Sequence, residues 1–213
     1  MNKFFYSKLA LNNIKKNYRT YIPYILTCIG TIMMFYNMCY LSVAKDIGSV
    51  SDSGSVRQIL FLGEIVIGIF SLIFLFYTNS FLIKRRKKEF GLFNILGMEK
   101  KHIAKIMFYE TVATAIVTIL VGISLGILFS KLMLLLLFKI MLSEAPFGFE
   151  VPLTAIITTI GLFCSIFIVN LIYNMRQVHL SNPVELLKGG NVGEKEPKTK
   201  WVLTITGFVT LGI

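Results

Sequence analysis

Apolar stretches long enough to cross a membrane dominate the pattern of hydrophobic and polar positions along the chain. Four of them run over residues 21–44, 59–83, 103–142 and 151–175. A helix needs about 20 apolar residues to cross a hydrocarbon core about 30 Å thick, and each stretch meets that length. The pattern therefore predicts an all-α, polytopic membrane protein with four transmembrane helices joined by short polar segments.

A fifth apolar run begins at Trp201 and reaches Ile213, the last residue of the sequence, after 13 residues. A helix of that length rises about 20 Å, which is less than the thickness of a hydrocarbon core. We therefore expect residues 201–213 to be the start of a fifth span. We also expect the sequence to be the N-terminal part of a longer protein.

Composition favours a membrane protein over the other classes. Hydrophobic residues make up 55% of the chain, charged residues make up 15%, and the mean hydropathy is +0.72. A soluble domain is about a quarter charged. The chain is too apolar to be disordered. Its three cysteines all lie inside predicted spans, which is not the pattern of a disulfide-rich secreted module.

Positive charges are concentrated in alternate segments between the spans. Of the 22 Lys and Arg residues, five precede residue 21, eight lie between residues 84 and 105, and five lie between residues 176 and 200. The positive-inside rule places these three segments, and with them the N-terminus, on the cytoplasmic side of the plasma membrane. Topology thus explains the net charge of +11, and nucleic acid is not expected as a partner.

No pattern of residues indicates an enzyme. The two histidines, His102 and His179, lie in different cytoplasmic segments without ligand spacing, so no metal site is expected. No Ser/His or paired-Asp set shares a depth in the spans. The glycine-rich segment 189–193 lacks the Gly-Lys-Ser/Thr of a phosphate-binding loop, so the chain itself is expected to bind no nucleotide or other cofactor.

An amphipathic stretch over residues 1–20 precedes the first span. Phe4, Leu11, Ile14 and Tyr18 fall on one helical face, and the lysines lie mostly off it. This pattern predicts a helix that lies along the cytoplasmic surface of the lipid bilayer. A docking surface for a partner is the alternative.

The segment between the second and third spans has the most unusual composition. Five basic residues at 84–88 end the second span, and an amphipathic stretch over 89–97 follows, with Gly97 as a helix stop. Phe90, Phe93 and Gly97 share one face of this stretch. Periodicity supports two interpretations equally: an interfacial helix, or a coupling helix that enters a groove on a cytoplasmic partner and transmits motion.

The third apolar stretch is too long for one perpendicular span. Its 40 residues would rise about 60 Å as a helix, so it must protrude, break or turn along the outer interface. Gly122, Gly126 and Ser130 recur within it at every fourth position. Such a stripe of small residues permits close helix–helix packing.

Two glutamates fall within or near the predicted spans, where ionisable groups are candidates for function. Glu64 lies one or two turns into the second span from outside. A polar contact within the bundle and a contact to a substrate are equally supported there. Glu110 lies about two turns into the third span from inside, where an ion pair with the nearby basic cluster is favoured.

Two motifs occur together in this region and carry a family resemblance. They are Arg86-x-x-Glu89-Phe90-Gly91-Leu92 and Leu96-Gly97-Met98, followed by Ile103 and Glu110. Together they resemble the FtsX-like permease family of ABC transporters. Gly122 and Gly126 match the glycine stripe of that family, and Asn182-Pro183-x-Glu185-x-Leu187 matches the segment that closes its module. The resemblance covers about residues 60–190, so the permease module is assigned to 59–190, followed by a cytoplasmic linker over 191–200.

The resemblance implies a permease subunit without catalytic residues, moved by a cytoplasmic ATPase, expected as a dimer, that binds ATP and Mg²⁺. In this family the coupling segment contacts the ATPase. Phe90 and Phe93 are then expected as apolar anchors, and Arg85, Arg86 and Glu89 as the residues that fix the orientation. The positions matched to the coupling segment are Arg85, Arg86, Glu89, Phe90, Gly91, Leu92, Phe93, Leu96 and Gly97.

The short first loop is similar to one layout within the family. Residues 45–58 cannot hold the large extracytoplasmic domain of lipoprotein exporters and macrolide pumps. The layout looks like that of the bacitracin-resistance permeases of Gram-positive bacteria. It implies defence against cell-wall-targeting peptides such as bacitracin or lantibiotics, and often a membrane sensor histidine kinase as a partner.

Other functions remain open at this point. One is a permease of another FtsX-like system, in lipoprotein export or cell-division signalling, and others are a non-ABC transporter or a membrane scaffold. A secondary carrier predicts a broken helix with paired polar groups at the membrane midplane. The spans carry no Asp, Lys or Arg pair near the midplane.

Overall fold

The computed structural model describes residues 3–44, 53–95, 97–141 and 151–180. These residues form five helices and contain no strand, which confirms the predicted all-α class. The motif from Asn182 to Leu187, the linker over 191–200 and the predicted start of a fifth span lie outside the described residues. The helices are α1 (Lys3–Lys16), α2 (Tyr18–Val43), α3 (Ser53–Ile95), α4 (Lys100–Ile140) and α5 (Leu153–Leu180).

Helices α2 to α5 are each long and apolar enough to cross a membrane. Their outer faces carry large exposed apolar side chains, among them Phe70, Leu128 and Ile157. Water would not solvate an apolar surface of this extent, whereas lipid does. The four predicted spans are therefore confirmed as the helices of a multi-pass membrane bundle.

Two of the helices are about twice as long as a bilayer core is thick. α3 has 43 residues and α4 has 41, so each extends about 60 Å. The helix α4 neither breaks nor turns between Lys100 and Ile140, so the long third stretch protrudes from the membrane. The ends of α3 and α4 that carry the basic residues 84–88 and 100–105 lie together, and we call this end of the bundle the basic end.

The separate short helix predicted over 89–97 is instead the last part of α3. The basic residues 84–88 contain no glycine or proline, and Lys and Arg are good helix formers, so nothing interrupts the helix there. The helix ends at Ile95. Gly97 follows with a φ of +86°, a left-handed conformation that glycine adopts without strain and that commonly ends helices.

The glycine stripe of α4 lies directly against α2. A Cβ atom added at Gly122 would lie 2.7 Å from Ile32 Cγ2, and one added at Gly126 would lie 2.7 Å from the ring of Tyr36. Ser130, the third member of the stripe, is fully buried and donates a hydrogen bond to the carbonyl of Ile127. The small residues thus allow the two helices to approach closely, as the spacing predicts.

Helix α2 lies at the centre of the bundle. Its side chains Cys28, Ile32 and Tyr36 are completely buried. Phe35 meets Phe163 of α5 edge to face, with the ring centroids 5.8 Å apart. Because α2 contacts α3, α4 and α5, a movement of any of these three helices must be accommodated by α2.

The helix α1 packs on the protein through Ile14 of the predicted stripe and through a second face that periodicity did not indicate. Tyr6 and Ala10 are buried against Ile106 of α4, and the Tyr6 hydroxyl lies 2.5 Å from His102 Nδ1. Leu11 and Tyr18 of the predicted stripe remain exposed and are free to face lipid. Tyr6 thus packs its ring against α4 while its hydroxyl bonds to His102.

Alanine substitutions in the glycine stripe test the close approach of α2 and α4. Gly122→Ala and Gly126→Ala each place a methyl group inside van der Waals contact, so each is expected to destabilise the bundle by about 1–3 kcal/mol. Gly161→Ala is the matched control, because a Cβ there meets nothing within 4 Å. Thermal unfolding of the full-length protein in detergent measures the effect. Equal midpoints for all three variants would contradict the packing.

Candidate functional site

A buried ion pair lies at the basic end, where α3 and α4 leave the bundle. Arg86 of α3 and Glu110 of α4 are each only 3% exposed. The guanidinium Nη1 pairs with Glu110 Oε2, and Nη2 donates to Oε1 at 3.0 Å. This bidentate arrangement matches the planar fork of arginine to both oxygens of the carboxylate. It is the ion pair that the sequence favours for Glu110.

Residues from α1 and α2 complete the hydrogen bonding of this ion pair. The Tyr21 hydroxyl accepts a hydrogen bond from Arg86 Nη1 at 2.5 Å and donates one to Glu110 Oε2 at 3.2 Å. Asn13 donates from Nδ2 to Glu110 Oε1 at 3.2 Å. Side chains of four helices therefore converge on one carboxylate–guanidinium pair. We call Asn13, Tyr21, Arg86 and Glu110 the basic-end joint.

Glu89 extends the joint to the turn between α1 and α2. Arg86 Nε donates to Glu89 Oε2 at 3.3 Å, one turn further along α3. Asn17, which lies between the two helices, donates to Glu89 Oε1 at 2.7 Å. A single arginine thus makes contact with two carboxylates, and both carboxylates are also held by asparagine side chains from the N-terminal region.

Burial makes the members of this joint depend on one another. A charged group taken out of water is costly unless an opposite charge and hydrogen bonds replace its hydration. Arg86 has its partners in Glu110, Glu89 and Tyr21, and its guanidinium also lies 5.0 Å from the centre of the Phe90 ring. Because the attraction between the partners is strongest at short distance, the joint resists separation of α3 from α4.

A pair of asparagines connects the fifth helix to the others. Asn79 of α3 and Asn174 of α5 are both buried, and each donates from Nδ2 to the Oδ1 of the other, at 2.9 and 3.2 Å. Asn79 lies two turns from Arg86 along the same helix. These reciprocal amide bonds fix α5 to α3 near the joint, so all five helices are linked at one end.

The last turns of α3 project beyond the joint, and we call residues 89–95 the α3 tip. Leu92 and Ile95 are 53% and 61% exposed. Gly91 is buried and faces inward. The side chain of Phe93 and all of Leu96 lie outside what the structure describes. The exposed apolar groups of the tip among the described side chains are therefore Leu92 and Ile95.

Phe90, which is predicted as an apolar anchor of the coupling segment, is buried within the bundle. It is only 3% exposed and packs against Ile83, Ile103 and Met107. Phe90 lies one turn after Arg86, so both side chains face α4. Phe90 thus fixes the tip to the start of α4, and the face a partner could reach is the one with Leu92 and Ile95.

The residues predicted to fix the orientation of the coupling segment also differ in their surroundings. Arg86 and Glu89 point into the joint, as described above. Arg85 is exposed, and its guanidinium lies 4.6 Å from the centre of the Phe81 ring. Neighbouring arginines on one helix therefore have different surroundings, because adjacent helical positions point about 100° apart.

Glu64 lies near the opposite end of the bundle. It is half-buried on α3, and the Ser42 hydroxyl of α2 donates to its Oε2 at 2.9 Å. The polar bundle contact considered for Glu64 is therefore present. In the described residues no group of three or more His, Cys, Asp and Glu side chains could hold a metal ion.

Sequence reasoning missed several members of this network. Asn79 and Asn174 were detectable, because an amide inside an apolar stretch needs a partner. Asn13 and Tyr21 gave no such signal, since both lie near the predicted membrane surface where polar groups are ordinary. Their role follows only from the packing of α1 and α2 on α4.

Comparisons with known proteins agree with one another on the family of this chain. Residues 62–181 match a family described as "FtsX-like permease C-terminal". The chain is 29% identical over 211 residues to the uncharacterized ABC transporter permease YvcS of Bacillus subtilis (strain 168), which covers 96% of this chain and 32% of YvcS. It is 30% identical over 182 residues to the bacitracin export permease protein BceB of the same organism, which covers 85% of this chain and 28% of that protein.

A second bacitracin export permease protein BceB, from Halalkalibacterium halodurans, is 27% identical over 161 residues, which covers 75% of this chain and 24% of that protein. The chain thus spans about a third or less of the length of these curated relatives. Arg86 and Glu110 of the basic-end joint both lie within residues 62–181, the range that the family matches.

Substitutions at the joint test its contribution to stability. Arg86→Leu leaves the buried Glu110 carboxylate without its positive partner, and Glu110→Leu leaves the buried Arg86 with only the partly exposed Glu89, so each is expected to cost about 3–5 kcal/mol. The double variant Arg86→Leu/Glu110→Leu is expected to cost less than the sum, because neither charge remains. The measurement is thermal unfolding of the full-length protein.

Arg85→Leu is the matched control for these variants, because it removes the same charge from an exposed position next in sequence. It is expected to change stability by no more than about 0.5 kcal/mol. If Arg85→Leu lowered the stability as much as Arg86→Leu does, the loss of a positive charge, and not the loss of the buried ion pair, would explain the destabilisation.

Proposed function

Because the chain belongs to the FtsX-like permease family, we propose that it forms a permease module of an ATP-driven ABC transporter and is moved by a cytoplasmic ATPase. The ATPase subunit binds ATP and Mg²⁺, and this chain converts its movement into a rearrangement of the spans. The observation that carries the proposal is the α3 tip, which is continuous with a transmembrane helix and exposes the apolar side chains of Leu92 and Ile95.

The distribution of charge supports a cytoplasmic position for the tip. The basic end contains residues 84–88 and 100–105, together with the lysines of α1, and the positive-inside rule favours the cytoplasmic side for all of them. In this orientation the N-terminus is cytoplasmic. Leu92 and Ile95 then extend below the membrane, where an ATPase can contact them.

The proposed mechanism is mechanical. A partner that binds the tip pushes or tilts a helix that continues without a break from Ser53 to Ile95. Phe90 and the basic-end joint tie the tip to α4, α2 and α1, so the displacement is shared by the whole bundle. Glycine packing between α2 and α4 and the Asn79–Asn174 pair extend the coupling to the remaining helices.

The relatives suggest the physiological role. Two of them are bacitracin export permease proteins, and we propose that the complete protein acts in defence against, or sensing of, cell-wall-targeting peptides of the bacitracin or lantibiotic type. A membrane sensor histidine kinase is a proposed further partner. Export of the peptide and removal of the peptide from its target both fit a module that is moved mechanically.

Co-purification with the ATPase tests the proposed coupling. The complete protein, affinity-tagged and extracted from its native membrane, is expected to carry a Walker-motif ATPase with it. Leu92→Ser/Ile95→Ser removes the two exposed apolar side chains described in the tip and is expected to reduce the amount of recovered ATPase at least tenfold. A tenfold reduction corresponds to a loss of about 1.4 kcal/mol in binding free energy.

Ile59→Ser is the control for this experiment. Ile59 is exposed and apolar, but it lies near the opposite end of the same helix, so it is expected to leave the ATPase yield unchanged. If no ATPase accompanies the parent protein, or if Ile59→Ser reduces its yield as much as the tip variant does, the coupling role of the tip is contradicted.

A further inference from the structure

The two intramembrane glutamates have different surroundings, although both lie on long spanning helices. Glu110 is neutralised by the buried Arg86 and by two further hydrogen bonds. Glu64 receives a hydrogen bond from Ser42, but no ion pair joins it to a basic side chain within the described ranges. A carboxylate in a membrane span is costly without a positive partner, so Glu64 is suited to a positive group from outside the bundle.

Glu64 lines a cavity of about 720 Å³ between α2, α3 and α5, and we call it the outer cavity. That volume lies within the range of ligand-binding cavities. Polar groups come from all three helices, with Ser42 on α2, Arg57 and Glu64 on α3, and Thr154 and Thr158 on α5. The rest of the lining is mainly apolar, which suits a ligand with both polar and apolar parts.

The order of charges along the outer cavity restricts the ligand. Gly54 and Thr154, near the ends of their helices, line the mouth, and Glu64 lies deeper. Arg57 precedes Glu64 by two helical turns, or about 10 Å of rise, and donates to the carbonyl of Ala44 at 3.5 Å. A molecule entering from this end would place a positive group at Glu64 and could keep an acidic group near Arg57.

We propose that the outer cavity binds a cationic amphiphilic peptide by accepting the ammonium group of one of its residues at Glu64. This assignment rests on the proposed function, which places this end of the bundle outside the cell. The ammonium group supplies the positive partner that Glu64 lacks among the described residues, and Ser42 holds the carboxylate towards the cavity. The apolar lining accommodates the neighbouring side chains of the peptide.

A pair of matched peptides tests the proposal on the complete protein in nanodiscs of phosphatidylglycerol. The probes are an amphiphilic peptide with one lysine and the same peptide with that lysine acetylated. The parent protein is expected to bind the lysine form at least tenfold more tightly. Glu64→Gln, which keeps the shape of the side chain and can still accept from Ser42, is expected to reduce this preference to below twofold.

Glu99→Gln is the control, because Glu99 is an exposed glutamate at the basic end, and it is expected to keep the preference. Equal binding of the two peptides by the parent protein would overturn the proposal. So would a preference that Glu64→Gln leaves unchanged. Neither result depends on ATPase co-purification, so failure of this proposal is distinguishable from failure of the coupling role.

Discussion

The buried pair of Arg86 and Glu110 is the interaction on which the arrangement of the basic end depends. A guanidinium and a carboxylate withdrawn from water need each other and every available hydrogen bond, and Tyr21 and Asn13 supply those bonds. The residues come from four helices, so none of the four can move away without exposing a charge to an apolar environment. The joint therefore favours movement of the helices together.

The remaining packing has the same effect further from the joint. Gly122 and Gly126 bring α4 against α2, where a small displacement would produce a steric clash with Ile32 or Tyr36. The Asn79–Asn174 pair adds α5. Much of the other packing between the helices, such as that of Phe35 against Phe163, is apolar and non-directional, and the outer faces carry exposed apolar side chains. A force on the α3 tip would thus be transmitted by a few specific contacts, as the proposed function requires.

Patterns that depend on a single helix were predictable from the sequence, whereas contacts between helices were not. The four spans, the glycine stripe and the ion pair of Glu110 followed from apolar length, spacing and the cost of a charge in a membrane. The burial of Phe90 against α4 was not predictable, because periodicity identifies a face without indicating what covers it. The continuity of α3 was missed for a related reason, since a basic cluster marks the membrane boundary and does not interrupt a helix.

Electron–electron distance measurements on the complete transporter test the transmission of movement most directly. Spin labels at Ile59→Cys and Leu153→Cys, both exposed at the end opposite the joint, would report the separation of α3 and α5, with Cys164 replaced by serine. Rigid transmission predicts that nucleotide binding by the ATPase changes this distance in the parent protein, and that Arg86→Leu/Glu110→Leu abolishes the change while the ATPase stays bound. An undiminished change in that double variant would contradict the role of the joint.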